Sequence, residues 1–344
     1  MTHHHLGPGE VLEIGEQAGP MLIDARGTPE EPAVIRPVVD RAALRGEGTV
    51  LVLRNPRHVE VRDLDISATD AGEGVLVWVT ETGCRGVRLH GLSVHGARNG
   101  IAVGSEVPGG IRNVEISHCL VTGCLLQGIL TYGPDAPDHG LADVRVHHCQ
   151  VEGTRGDPTL TDHHSGSGIV LGSVLGGEVA DCLARGNGAG CRASEGPEGI
   201  FLHDCTHVAI RRCVASDNRT GGPADGGGLG IDLRCADCLI EDCTATGNDG
   251  AGILLWNLPG LRSGRAEVRG NHLADNARRT RWHGEITVAP SIGEVVVRGN
   301  RLHPAPGQEG IVAGRGMSGL SVVDNLISEQ PSDAVYHVRM HAHP

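Results

Sequence analysis

The chain has 344 residues, enough for a large core, yet only three Trp, two Tyr and one Phe, against 53 Gly and a formal net charge of −13. That acidity excludes nucleic acid and anionic membrane surfaces as partners, and no apolar run approaches the roughly 20 residues of a membrane span. A core so poor in aromatic rings must be packed by small and branched aliphatics, which suits stacked short strands better than a helical bundle.

Residues 1–47 carry short apolar runs (Val11-Leu12, Met21-Leu22-Ile23, Val34-Ile35) separated by Gly and Pro. They read as an N-terminal cap that opens the first coil. They lack a basic start followed by an apolar core, so no secretion signal is visible and a cytoplasmic location is expected. From Gly48 a repeat runs through 48–344, continuous with the cap as one domain, and repeats of 20–50 residues indicate a solenoid. Aligned on one strand of each unit, Leu64, Leu92, Cys119, Cys149, Cys182, Cys213, Cys243, Asn271, Asn300 and Asn325 form a column at intervals of 25 to 33 residues. A second alignment places Gly74, Gly100, Gly128, Gly168, Gly199, Gly230, Gly252 and Gly310 at the start of another strand, most often as Gly-Ile-x-Leu.

Units this short bury no face alone; stacking supplies a continuous core. Strand alternation puts the Ile and Leu of Gly-Ile-x-Leu inside and the intervening residue outside. The column of five Cys and three Asn becomes an internal ladder at a bend, where Asn bonds neighbouring rungs and Cys packs as a small apolar group. The repeat therefore accounts for much of the count of 11 Cys without metal or redox chemistry. Cys235-x-x-Cys238 has the spacing of a metal or redox pair, but a lone pair is a weak signal, and no metal is assigned.

The loops before the Gly-Ile strand vary in length. They are long before Gly168, Gly199, Gly230 and Glu285, and leave the coil at one corner, so they should wall a groove on the binding face. The outward positions of the Gly-Ile-x-Leu strands would floor it. Trp78, Tyr132, Phe201, Trp256 and Tyr336 all fall in these outward columns, and Trp282 lies in the loop before Glu285. Exposed rings are costly unless used, so Trp78, Phe201, Trp256 and Trp282 are candidate sugar-stacking residues, joined by the loop residues His163, His164 and His283. On the same face, His203 and Arg234 are expected on adjacent rungs about 4.8 Å apart, with Asp232 beside Arg234. Gly172 should leave a notch roughly 10 Å wide between Tyr132 and His203.

Gly-Ile-x-Leu, the Val-x-Ile strands, the Asn/Cys ladder and the opening Ile23-Asp24-Ala25-Arg26-Gly27-Thr28 together resemble the right-handed parallel β-helix, or pectate-lyase-like, superfamily. The resemblance spans nearly the whole chain and implies an all-β, single-stranded right-handed parallel β-helix of about 10 coils. It also implies polysaccharide lyases, glycoside hydrolases and epimerases as relatives, although a shared fold does not fix function. Tyr132-Gly133-Pro134-Asp135-Ala136-Pro137-Asp138-His139 resembles the Tyr-Gly-x-Asp-Pro-His motif of mannuronan epimerases, from which only Tyr132 carries over. The lysine of that family has no counterpart, because this chain contains none.

The first functional expectation is proton abstraction beside a carboxylate or carbonyl of a uronate-like carbohydrate, as in a lyase or epimerase. His203 and Tyr132 would serve as base and acid, Arg234 would neutralise the substrate carboxylate, and Asp232 would orient Arg234. A second reading is isomerisation, dehydration or cyclisation of a small biosynthetic metabolite; a third is a non-catalytic carbohydrate-binding solenoid. Glycoside hydrolysis needs a second carboxylate facing Asp232, which only Glu195, Glu198 or Asp225 from the loops could supply. No cofactor is expected; calcium would have to be held by Asp135, Asp138, Asp157 and Asp162, which lack cage spacing. The C-terminal strand Ala334–Val338 has no evident cap, and an uncapped edge can pair with a second copy of the chain.

Overall fold

The computed structural model describes residues 1–344 apart from 40, 41, 262, 281, 316, 318, 329–334 and 339–344. Among the described residues there is no helix; the chain winds as three stacks of parallel strands. The first stack includes Met21–Ala25, Leu51–Arg54, Val75–Val79, Asn99–Ser105 and Gln127–Tyr132, and continues to Glu309–Gly314. The second includes Ala33–Pro37, Arg57–Arg62, Cys84–His90 and Ile111–Ser117. In two coils the strand pairing runs on through the corner between these stacks, giving the 14-residue strands Ser167–Ala180 and Glu198–Arg211. The two stacks are therefore hydrogen-bonded as one 23-stranded sheet, and the third stack is a separate sheet of 12 short strands.

The expected ladder marks the bend into the third stack. Each of its members immediately precedes a short strand, from Leu64 before Asp65–Ala68 to Asn325 before Leu326–Ile327. The residue just before each member has positive φ, from Asp63 at 58° through Arg212 at 50° to Asp324 at 56°. This left-handed residue makes the sharp bend, and Gly, Asp and His take most of these positions because they tolerate it best. Inside, the Asn271 amide donates to Asn300 Oδ1 at 2.9 Å and Asn300 to Asn325 Oδ1 at 2.8 Å. The Cys213 amide donates to the Cys243 sulfur at 3.4 Å. All 11 cysteines are free and buried, Cys235 and Cys238 included.

A second ladder, absent from the sequence reading, stands at the bend out of the third stack. Asn187, Asn218 and Asn248 each donate through Nδ2 to Oδ1 of the next asparagine of the ladder, and Asn276 ends on the Glu285 carboxyl at 2.5 Å. Between the ladders the core is aliphatic: Ile200, Leu202, Leu229, Ile253 and Ile286 are fully buried in successive coils. Winding begins early, since Thr2–Leu6 pairs with Met21–Ala25 and Val11–Ile14 with Ala33–Pro37. At the other end Tyr336–Val338 pairs with Glu309–Gly314. Of the rest of the expected terminal strand, Val335 precedes this pairing, while Ala334 and the side chain of Tyr336 lie outside the described residues.

Candidate functional site

The first stack floors the site, and its register differs from expectation. Gly172 pairs with His203, Phe201 with Gly230, and Leu202 with Ile231. The Asp232 amide then donates to the Leu202 carbonyl at 2.8 Å, which sets Asp232, rather than Arg234, beside His203. Aligning Gly230 with Gly199 was therefore wrong by two residues: Glu198 pairs with Gly227, so Gly228 stands opposite Gly199. A two-residue shift keeps every side chain on its face, because strand alternation has period 2, so the hydrophobic pattern does not separate the two registers. The backbone pairing sets the register, and in it Gly230 lies under the Glu198 carboxyl, where a Cβ would meet Oε2. Beyond this point Thr206 bridges to Ala236, so the coil accommodates one extra residue at the corner where Arg234 takes φ 55°.

Over this floor the long loops rise and enclose a cavity of about 440 Å³. Trp256 and Trp282 form part of its wall. Phe201 belongs to the floor but is only 4% exposed, its ring meeting His164 edge-on at 5.1 Å. His203 lies across Gly172, where a Cβ would strike its ring, so the expected notch is filled.

Behind His203 stands a carboxylate missing from the sequence reading. Asp204 accepts from His203 Nδ1 at 3.0 Å, from Arg234 Nη2 at 2.8 Å and from the Ala136 amide at 3.0 Å, and also bonds Arg234 Nε. Arg234 reaches Asp135 as well, at 3.1 Å. Strict alternation would send Asp204 inward, one residue after the outward His203; its φ of 52° turns it instead into the network. The task assigned to Asp232, orienting Arg234, belongs to Asp204. Because two carboxylates already hold that guanidinium, Arg234 positions its neighbours and is not a free receptor for a substrate anion.

Burial works to raise the Asp204 carboxyl, but the bonds from His203 and Arg234 outweigh it and hold it well below the usual range. Asp232 behaves oppositely. Burial pushes it up to about 8 against the bond from the Leu233 amide, with Asp225, Glu195 and Asp204 adding to the rise. Glu198 is pushed well up by burial, then by Asp225 and Asp232. Burial, with His203 and His163 nearby, takes His164 down to about 4. The cavity therefore holds carboxyl groups raised by burial, Asp232 to about 8, beside a His203 ring whose Nδ1 is bonded to Asp204.

Other expected residues lie elsewhere. Tyr132, one coil before Gly172, is folded back over Gly104 and does not line the cavity; burial, then Glu73 and Glu106, raise its hydroxyl. Trp78 donates to Glu106 at 2.8 Å and lines a shallow depression with Asp24 and Arg54. It stands four rungs from His203, about 19 Å away. His163 is exposed at the cavity rim. His283 is 1% exposed, accepts from the Ala251 amide at 3.1 Å and backs Trp282 with ring centroids 3.7 Å apart, so it supports the wall from behind. Of the four candidate calcium ligands, Asp135 pairs with Arg234, Asp157 caps Thr159 and Asp162 faces His163, and no three of the four, Asp138 included, bring ligand atoms within 4.8 Å of one another. Among the described residues, the one set of three His, Cys, Asp or Glu ligand atoms within 4.8 Å of one another is His3, His5 and Asp24, near the N-terminal end, where Arg54 also holds Asp24.

Parallel coils, inward ladders and loops gathered at one corner define a right-handed parallel β-helix with its candidate site on a lateral face. The chain belongs to the right handed beta helix region family, whose model matches residues 73–272, more than half of its length. No curated protein matches it in sequence. Among solved structures it is similar to a lacto-N-biosidase from Eubacterium ramulus, at 14% identity and a TM-score of 0.60, covering 94% of this chain and 68% of that one. The A-module of a mannuronan C-5 epimerase from Azotobacter vinelandii matches at 13% identity and 0.54, covering 97% and 91%. The enzymatically active domain of tailspike protein 2 from bacteriophage CBA120 matches at 11% and 0.56, covering 85% of this chain and 43% of that one. At these identities the likeness concerns the fold.

Proposed function

We propose that the chain is an enzyme acting on a carbohydrate by acid–base chemistry in the cavity above His203 and Asp232. The observation that carries this reading is the pairing of those two side chains on adjacent coils, one ring fixed by Asp204 and one carboxyl kept protonated by burial. His203 Nε2 would take the proton from a carbon beside a carbonyl, leaving its electron pair in a new double bond. Asp232 would give its proton to the oxygen that leaves or to the carbonyl oxygen, as in β-elimination or isomerisation. Trp256 and Trp282 would stack on the sugar ring. The carbohydrate-acting names of the similar structures, a lacto-N-biosidase and a mannuronan C-5 epimerase, agree with a sugar ligand. Because Arg234 is already engaged, a uronate carboxylate would find no free guanidinium there, which disfavours the expected uronate.

Glycoside hydrolysis is the second reading, favoured by the presence of Glu195 and Asp225 around the same cavity as Asp232. A protonated carboxyl and an ionised one are what that reaction requires. The two are separated by incubating a panel of neutral and acidic oligosaccharides in heavy water and analysing products by mass spectrometry and NMR. Proton abstraction gives unsaturated products or carbon-bound deuterium; hydrolysis gives new reducing ends without either. A panel in which no sugar changes, or in which His203→Ala and Asp232→Asn retain full turnover, would overturn the proposal.

A further inference from the structure

We infer that the ligand of this cavity carries a cationic group, as an amino sugar does, held between Glu198, Asp225 and Asp232 beneath the rings of Trp256 and Trp282. The inference rests on the reading of the cavity as a carbohydrate site and names the class of sugar.

Charge is the first argument. Six carboxyl groups line the cavity, on Asp135, Glu195, Glu198, Asp204, Asp225 and Asp232, against one arginine among the described lining residues. That arginine is bound to two of the six. Glu198 supplies the second. It is 7% exposed, lines the cavity, and its Oε2 has no hydrogen-bond partner. An orphaned buried acceptor costs free energy that a donor on a ligand would recover. The glycine at 230 clears the space into which that carboxyl lies, so the arrangement is built into the register of the strand.

Shape separates an organic cation from a metal ion. Among the described residues, no three ligand atoms in the cavity lie within 4.8 Å of one another, whereas a metal gathers its ligands around a point. The carboxyls are instead spread over a cavity of about 440 Å³ whose lining includes two tryptophans. An ammonium group near aromatic rings gains from their quadrupoles as well as from the carboxylates. Burial, then Asp225, raises both Glu198 and Asp232 in the free protein; an ammonium group between them would act the other way and favour their ionised forms.

Isothermal titration calorimetry of the intact chain tests this, comparing glucosamine oligomers with N-acetylglucosamine and galacturonate oligomers of equal length, with spermidine and calcium as separate probes. The expected result is roughly tenfold tighter binding of the amine-bearing oligomer than of its acetylated partner. That preference should be lost in Glu198→Gln and, as a second variant should the first fail to fold, in Asp225→Asn. Equal binding of the two, or tighter binding of the uronate, overturns the inference while leaving a carbohydrate site standing. Binding of spermidine but of no oligomer would keep the cationic ligand and overturn the carbohydrate reading. Calcium binding in the micromolar range that Glu198→Gln abolishes would overturn the inference in favour of a metal.

Discussion

Two stretches of the same face present aromatic and polar side chains on the same strand positions, yet they differ in what those side chains can do. Around Trp78 and Tyr132 the residues lie open, 37% and 40% exposed, with Tyr132 draped over Gly104. Around His203 and Asp232 the long loops rise, and equivalent positions sink into a cavity where burial shifts proton affinities. The strand register supplies the positions; the loops supply the desolvation. A column of outward residues becomes a site only where something covers it.

That contrast is broken most severely at Asp232. Replacing it with Asn keeps the shape and removes the proton, so turnover on any oligosaccharide that reacts should fall by about 10²–10⁴-fold. Tyr132→Phe should leave it unchanged, and an equal loss in both variants would erase the distinction. Next in size is Asp204→Ala. It strips Arg234 and His203 of the buried carboxylate that joins them, and denaturant unfolding should register a loss of about 3 kcal/mol. Glu106→Ala, which removes the exposed partner of the Trp78 indole, should cost below about 1 kcal/mol.

A smaller effect sharpens the comparison through pH. Asp232 has its carboxyl raised on folding from 3.8 to about 8, so the unfolded chain releases a proton that the native one keeps. Its stabilising contribution is full below the unfolded value and declines as pH rises towards about 8. Asp232→Asn should therefore gain on the parent in thermal melts at pH 8 relative to pH 5. Asp204, lowered by its bonds, carries the opposite sign and loses its contribution as pH falls through the acid range. A parallel pH dependence for parent and Asp232→Asn would count against a buried proton at this position. Smallest of all, Trp78→Ala should shift stability by within about 0.5 kcal/mol and leave ligand binding intact.

The coil was readable because its rule is local. Aliphatics at Ile200 and Leu202 alternate with outward residues, and the Cys/Asn column recurs at every bend, so patterns of a few residues define the interior. The second ladder left a trace of the same kind, in Arg-Gly-Asn187, Ser-Asp-Asn218, Thr-Gly-Asn248 and Ala-Asp-Asn276, but those asparagines sit among loop residues that read as turns. At the site the local rule fails in two ways. Gly-Gly-Gly-Leu-Gly-Ile offers two Gly-aliphatic starts two residues apart, and alternation accepts both. At Asp204 and Arg234 a left-handed residue interrupts alternation, so the face of each side chain no longer follows from counting. Loop closure depends on residues distant in sequence, and with it burial, which is why the outward aromatics read as an exposed platform although Phe201 is covered.

The second asparagine ladder has a direction. From Asn187 to Asn276 every side-chain amide gives its N–H toward the C-terminal end, so the amides form a polarised file that finishes on a carboxyl. Glu285, with both oxygens taken by Asn276, is such a terminus. In that geometry a glutamine would present one oxygen and one NH2 group to Asn276, so Glu285→Gln loses one of the two bonds, whereas Asn276 takes both donations from Asn248 on a single oxygen. The file has a head and a tail, and coils could be added more readily at its donor end than past its acceptor.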